Sequence, residues 1–293
     1  MKGLITGIKR FAIHDGDGIR TTVFFKGCPL RCVWCHNPES LKAEPQIAYM
    51  EEKCISCGRC ADLCEANIIR DNIHIFERKN CSMCEKCVFV CPQQAFKIYG
   101  KLMDTDELLD LVSEDKKFYM TSGGGVTLSG GECLMQPEFC IELLKKLKEN
   151  NINTAVDTCG YADSDIFEKT MPYTDTYLYD VKAIDEDVHI KCTGVSNTKI
   201  LKNLLMLDRF GKKTEVRIPY VPGYNDNQID KIAVFLKELK NLTGIRVLKY
   251  HNLAGSKYKS LEMENTLPKE ISTPEDMVCV RQKFEAYGLN VIE

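Results

Sequence analysis

Three cysteines fall within eight positions of the stretch GCPLRCVWCHNPES: Cys28, Cys32 and Cys35. Structural zinc sites and iron–sulfur cubes both take four protein ligands. Spacers of three and two residues let Cys28, Cys32 and Cys35 hold three irons of one [4Fe–4S] cube, with no local thiolate for the fourth. An open coordination position marks a catalytic metal rather than a structural one. The alternative is a fourth ligand from elsewhere in the chain. Five scattered cysteines could supply it: Cys133, Cys140, Cys159, Cys192 and Cys279, each otherwise expected to be a small packing residue.

The remaining eight cysteines form two runs, CISCGRCADLC (54–64) and CSMCEKCVFVC (81–91), which share the pattern C-x2-C-x2-C-x3-C. Pro92 follows the second run and Glu65 the first. This is the spacing of bacterial two-cluster ferredoxins, in which the last cysteine of each run serves the other cluster. The expected ligand sets are Cys54, Cys57, Cys60 with Cys91, and Cys81, Cys84, Cys87 with Cys64. A zinc ribbon would use pairs of CxxC rather than runs of four. The division expected is residues 1–47, an inserted ferredoxin-like module over 48–98, and residues 99–293.

Sixteen cysteines sit in a chain of 293 residues with 44% apolar and 28% charged residues, an ordinary globular balance. A net charge of −3 argues against a nucleic-acid surface as the main business of the protein. No apolar run follows MKG and none reaches membrane-spanning length, so a cytoplasmic protein without a membrane partner is expected. Thiols stay reduced in that compartment, so clustered ones read as metal ligands.

Elements must bring these residues together. Strand patterns occupy 21–27, 126–131, 153–160, 176–182, 214–220 and 245–251, and helical patterns 105–118, 137–150, 197–210 and 227–240 lie between them. Near-continuous apolar strands alternating with amphipathic helices make a parallel sheet covered by helices. Six such units are too few for a closed eight-stranded barrel, so a partial (β/α)6 barrel is expected. Residues of unusual character end these strands: Cys28 onward, Gly130-Gly131-Glu132, Asp157-Thr158, Asp180 with Lys182, Arg217 and His251. That edge carries the active site in parallel α/β folds.

The motifs IHDGDGIRTTVFFKGCPLRCVWCHNPES, the paired ferredoxin runs, LSGGE, VDTCG, YDVK, TGVSN and LKYHNL resemble, in order, the glycyl radical enzyme activating enzymes of the radical SAM superfamily. The resemblance spans essentially the whole chain. It implies that S-adenosylmethionine binds the iron left open by Cys28, Cys32 and Cys35. One-electron cleavage then gives a 5′-deoxyadenosyl radical, which takes a Cα hydrogen from a glycine of a partner glycyl radical enzyme. Trp34 and His36 would line the pocket. Gly130, Gly131 and Glu132 would meet the ammonium group; Asp180, Val181 and Lys182 the methionine moiety; His251 the nucleoside. Arg217 would meet a cofactor carboxylate or belong to a buried ion pair. Asp157, Thr158 and Asp180 match a monovalent-cation site for Na+ or K+, and Asp15 would hold the incoming glycine strand. Asp17 stands where the family commonly has proline, which puts the stiffness of that loop in doubt. The two further cubes would relay electrons from a ferredoxin or flavodoxin, making three [4Fe–4S] clusters. His14, His74 and His189 carry no such case and default to structure or surface. A radical SAM enzyme with another substrate, and an electron carrier on a silent scaffold, are the competing readings. No motif identifies the partner, and nothing signals oligomerisation, so a monomer is expected.

Overall fold

The first strand, β1 (Lys2–Ala12), is one the sequence pattern does not announce, because its apolar residues are interleaved with Gly3, Gly7, Lys9 and Arg10. It pairs antiparallel with β2 (Arg20–Phe25), in a computed structural model that describes residues 1–292. An excursion follows, containing β3 (Gln46–Tyr49), β4 (Asn67–Arg70), β5 (Ile73–Phe76), the short helix α1 (Lys86–Val90) and β6 (Phe96–Tyr99). β3 pairs antiparallel with β6, Gln46 opposite Tyr99, so the chain leaves and returns through one two-stranded neck. Ile47, Ala66, Phe76 and Phe96 form a small core of their own inside it.

The main sheet resumes with β7 (Lys101–Asp104), which pairs with β1. Then come β8 (Gly125–Gly130), β9 (Asn153–Thr158), β10 (Thr176–Asp180), β11 (Thr214–Tyr220) and β12 (Leu242–Lys249). The spatial order is β12-β11-β10-β9-β8-β2-β1-β7. β2 and β8 to β12 run parallel, the six expected strands, and β1 and β7 extend the sheet antiparallel at one end.

Helices cover the sheet between strands: α2 (Thr105–Ser113), α3 (Lys116–Ser122), α4 (Pro137–Glu149), α5 (Ser164–Thr170), α6 (Glu186–Thr193), α7 (Thr198–Arg209) and α8 (Ile229–Leu236). α9 (Gly255–Ser260) and α10 (Pro274–Ala286) follow the last strand. α4 opens on Pro137 and buries Phe139, Leu143, Leu144 and Leu147 on one face, as its periodicity predicts. Each such burial stabilises by about 1.5–3 kcal/mol, and Leu144→Ala would cost about 2–5 kcal/mol. The single helix expected over 105–118 is broken instead. Asp115 is fully buried, and its carboxylate accepts from Arg10 Nε and Thr21 Oγ1, each at 2.8 Å. That inward pull ends α2 and starts α3. Among the described residues no helix is long and apolar enough to cross a membrane.

Candidate active site

The strand ends converge as expected on a cavity of about 250 Å³. Cys28, Cys32 and Cys35 stand on its wall with Trp34 and His36. Gly130 and Gly131 face them from the end of β8, and Asp180 and Lys182 from the end of β10. Both glycines are obligatory on packing grounds. A Cβ on Gly130 would lie 2.2 Å from the Phe25 nitrogen, and one on Gly131 2.3 Å from the Gly27 carbonyl oxygen. Gly130 also has φ +115°, a conformation that favours glycine.

The cysteine loop lacks regular structure, so its backbone is held from outside. Arg31 N–H donates to Thr193 O at 2.8 Å and Val33 N–H to Cys192 O at 3.0 Å, fastening it to the end of α6. From α9, Tyr258 Oη donates to Cys35 O at 2.9 Å, and Lys257 Nζ reaches His36 O at 3.0 Å and Glu39 Oε1 at 2.6 Å. The two anchors from α9 were missed from sequence, because they carry no motif and lie more than two hundred residues from the loop. Trp34 packs edge-on to Tyr224, ring centroids 6.3 Å apart, in a buried group with Tyr250 and Val221.

Burial raises the Cys32 thiol well above its usual pKa and pushes Cys35 up to about 11. Cys28 is lowered, chiefly by a hydrogen bond from the Cys159 thiol. The cationic Lys182 lies within electrostatic reach of all three. Lys182 is itself buried and ion-paired to Asp180 at 2.6 Å; burial works to lower its pKa, but Asp180 and the neighbouring sulfurs prevail and raise it. Cys32 and Cys35 resist ionisation until a cation arrives, Cys28 ionises more readily, and a fixed positive charge stands behind all three, which fits a metal cluster carrying net negative charge.

Other expected contacts lie off the cavity. Glu132 is fully buried; its carboxylate accepts from Thr158 Oγ1 at 2.9 Å, Cys159 N–H at 2.8 Å and Leu134 N–H at 3.1 Å. Burial raises its pKa despite those donors. Val181 is buried at 1% exposure, so it contributes backbone only. Of the two roles weighed for Arg217, the geometry shows the ion pair: Nε meets Glu215 at 3.2 Å, Nη1 lies 3.7 Å from Asp157, and Nη2 donates to His14 O at 2.8 Å. Asp157 accepts from Ser129 Oγ at 2.6 Å, and burial pushes its pKa up to about 6 while Arg217 pulls it down. The Thr158 hydroxyl donates to Glu132 and accepts from Gly160 N–H at 2.9 Å.

His251 is exposed, its ring 4.2 Å from that of His36, and its carbonyl hydrogen-bonds His36 Nε2. Leu248, Lys249 and Tyr250, not His251, are the residues of that segment on the cavity wall. Asp15 accepts from Thr22 Oγ1 at 2.8 Å, and its carbonyl from Thr127 Oγ1 at 2.6 Å, so this loop runs along the concave face of the sheet. Arg20 Nη1 donates to Asp17 O at 3.3 Å, tethering the loop where proline is missing. Of the five scattered cysteines, Cys133, Cys140 and Cys192 are buried packing residues, whereas Cys279 is exposed on α10, and Cys159 lines the cavity.

In the excursion, Cys54, Cys57, Cys60 and Cys91 line one small cavity. Cys64 lies within hydrogen-bond reach of Cys84, and Cys81, Cys84 and Cys64 all act electrostatically on Cys87. Among the described residues no three His, Cys, Asp or Glu side chains are gathered tightly enough for a single metal ion.

Comparison with known proteins matches residues 22–236 to the radical SAM superfamily model. The choline trimethylamine-lyase activating enzyme of Oleidesulfovibrio alaskensis is 43% identical over 273 residues, 90% of this chain and 88% of that one. The trans-4-hydroxy-L-proline dehydratase activating enzyme of Clostridioides difficile is 40% identical over 303 residues, 99% and 98% of the two chains. Among solved structures, a domain of pyruvate-formate lyase-activating enzyme from Bacteroides vulgatus superposes with a TM-score of 0.50 at 31% identity, covering 58% of this chain and 98% of that one. Shared sequence over nearly the full length, on a parallel sheet whose strand ends gather the three cysteines, places the protein in the radical SAM superfamily, among the activating enzymes of glycyl radical enzymes.

Proposed function

We propose that Cys28, Cys32 and Cys35 hold the [4Fe–4S] cluster of this activating enzyme and that S-adenosylmethionine occupies the same cavity. Bound there, cluster and cofactor supply a one-electron reductive cleavage whose 5′-deoxyadenosyl radical takes a Cα hydrogen from a partner's glycine. The observation that carries the assignment is the meeting of three cysteines, a glycine pair and the ion pair of Asp180 with buried Lys182 on one cavity wall.

The chain's own groups have separate tasks in this reading. Lys182 offsets negative charge behind the sulfurs. Asp180 presents a carboxylate to the methionine moiety, and the carbonyls of Gly130 and Gly131 accept from its ammonium group. Glu132 supports that wall from behind rather than touching the cofactor. Trp34 and Tyr250 exclude water, and His36 with His251 offers a pair of adjacent, mutually tilted imidazole rings to the nucleoside. A Na+ or K+ ion would find carboxylate oxygens at Asp157 and Asp180, and one lone pair left on the Thr158 hydroxyl. Asp15 would receive the partner's glycine strand.

Residues 46–99 are read as a two-cluster ferredoxin-like module, with Cys54, Cys57, Cys60 and Cys91 on one cluster and Cys81, Cys84, Cys87 and Cys64 on the other. Exposure of Cys57 and Cys84 suits entry of electrons from a ferredoxin or flavodoxin. Anaerobic reconstitution should yield about twelve irons per chain for three cubes. Dithionite with S-adenosylmethionine should then release 5′-deoxyadenosine, and Cys32→Ala should abolish it. Full release from Cys32→Ala would overturn the assignment.

A further inference from the structure

The hairpin of β4 and β5 turns through Asp71 and Asn72, both with positive φ (48° and 60°), the two-residue turn that matches strand twist. Its register sends Ile73 and Ile75 outward, 60% and 39% exposed, and His74 inward at 6%. A slip of one residue would bury both isoleucines and release His74 together with Phe76, which is 6% exposed on the same face. Burial of Phe76 favours this register, and it carries His74 inward, where the imidazole meets a partner.

That partner is Cys60. His74 Nε2 lies 3.5 Å from Cys60 Sγ and 3.1 Å from Asn67 Oδ1, on the wall shared by Cys54, Cys57, Cys60 and Cys91. Tyr49 and Phe96 wedge the imidazole edge-to-face, at centroid distances of 4.7 and 5.7 Å. A metal-bound thiolate and an amide oxygen can only accept, so Nε2 must carry the proton and Nδ1 is bare. Nδ1 has no partner, nor has Asn67 Nδ2, although His74 and Asn67 are 94–97% buried by their 6% and 3% exposures. Three other cysteines of the two sets receive backbone donors: Ser56 N–H to Cys54, Ala95 N–H to Cys91, Met83 N–H to Cys81. His74 is the one histidine between residues 37 and 188, so the second set has no histidine counterpart.

We infer that His74 donates an Nε2–H hydrogen bond to the Cys60 thiolate and thereby holds that cluster at a higher reduction potential than its neighbour, with Asn67 fixing the ring. Hydrogen bonds to ligating sulfur favour the more negative, reduced state. The inference rests on the two-cluster reading of residues 46–99. His74 is thus a positioning residue that makes the two halves of a sequence repeat electrically unequal.

The test is an EPR-monitored redox titration of the reconstituted full-length protein and of His74→Phe and His74→Gln. With full iron content, His74→Phe should move one auxiliary potential, the higher of the two, to a more negative value and leave the other clusters in place. His74→Gln, which keeps an N–H donor, should return it towards the wild-type value. Unmoved potentials in His74→Phe, or equal shifts in both variants, would overturn the inference. Pulsed EPR of wild-type protein carrying 15N-histidine, without S-adenosylmethionine, covers the case in which the variants lose iron. A histidine nitrogen coupled to a reduced auxiliary cluster supports the bond, and its absence overturns it. A wild-type iron content of only four per chain would instead defeat the two-cluster reading itself.

Discussion

The thiol of Cys159, at the end of β9, donates a hydrogen bond to the sulfur of Cys28. A fourth cysteine therefore touches the triad that was expected to stand alone. If Cys159 is a neighbour and not a ligand, Cys159→Ala should retain the cluster of Cys28, Cys32 and Cys35. Its rate of S-adenosylmethionine cleavage should stay within about fivefold of wild type, the worth of about 1 kcal/mol for one neutral hydrogen bond. Iron analysis and 5′-deoxyadenosine assay check this; loss of four irons would make Cys159 the fourth ligand.

Glu132 should matter through stability. Glu132→Ala strands the Thr158 hydroxyl and the N–H groups of Cys159 and Leu134 in a dry interior. At about 1–3 kcal/mol for each unsatisfied buried donor, the variant should lose at least about 3 kcal/mol in urea unfolding. A variant as stable as wild type that fails only to bind S-adenosylmethionine would assign the carboxylate to the cofactor instead.

Asp180→Asn should act on the cofactor. The substitution removes a charge from the cavity wall and leaves buried Lys182 without its counter-ion. Affinity of the reconstituted protein for S-adenosylmethionine, read by calorimetry, should fall about tenfold to a hundredfold, the range for a hydrogen bond to a charged group. An unchanged affinity would remove Asp180 from the contact set.

His189 sets a pH dependence of folding. Burial lowers its pKa, while Val195 O accepts from or faces its Nδ1 at 2.8 Å. The unfolded chain therefore takes up a proton near pH 6.5 that the native state refuses until lower pH. Stability from this group is present above pH 6.5 and is lost as pH falls below it. Urea midpoints of His189→Gln should decline less than those of wild type between pH 7 and pH 5.5; parallel declines would count against it.

Much of the fold was legible because parallel strands buried on both faces are largely apolar, and strands such as Thr176–Asp180 sit where that pattern put them. β1 was not, because it lies half-exposed next to the edge strand β7 and carries Lys9 and Arg10. The broken helix at Asp115 was hidden for another reason: its cause is Arg10 and Thr21, about a hundred residues away.

Spacing of cysteines is a local property, so the sequence by itself determined three tight runs of thiols and the family they announce. Which groups surround those thiols depends on strands and helices meeting across the chain, and only the tertiary structure decided it. It turned Glu132 inward, spent Arg217 on Glu215 and Asp157, set Cys159 against Cys28, and placed His74 on Cys60. A side chain's type says what bonds it can make; its neighbours, fixed by long-range packing and register, settle which of them it does make.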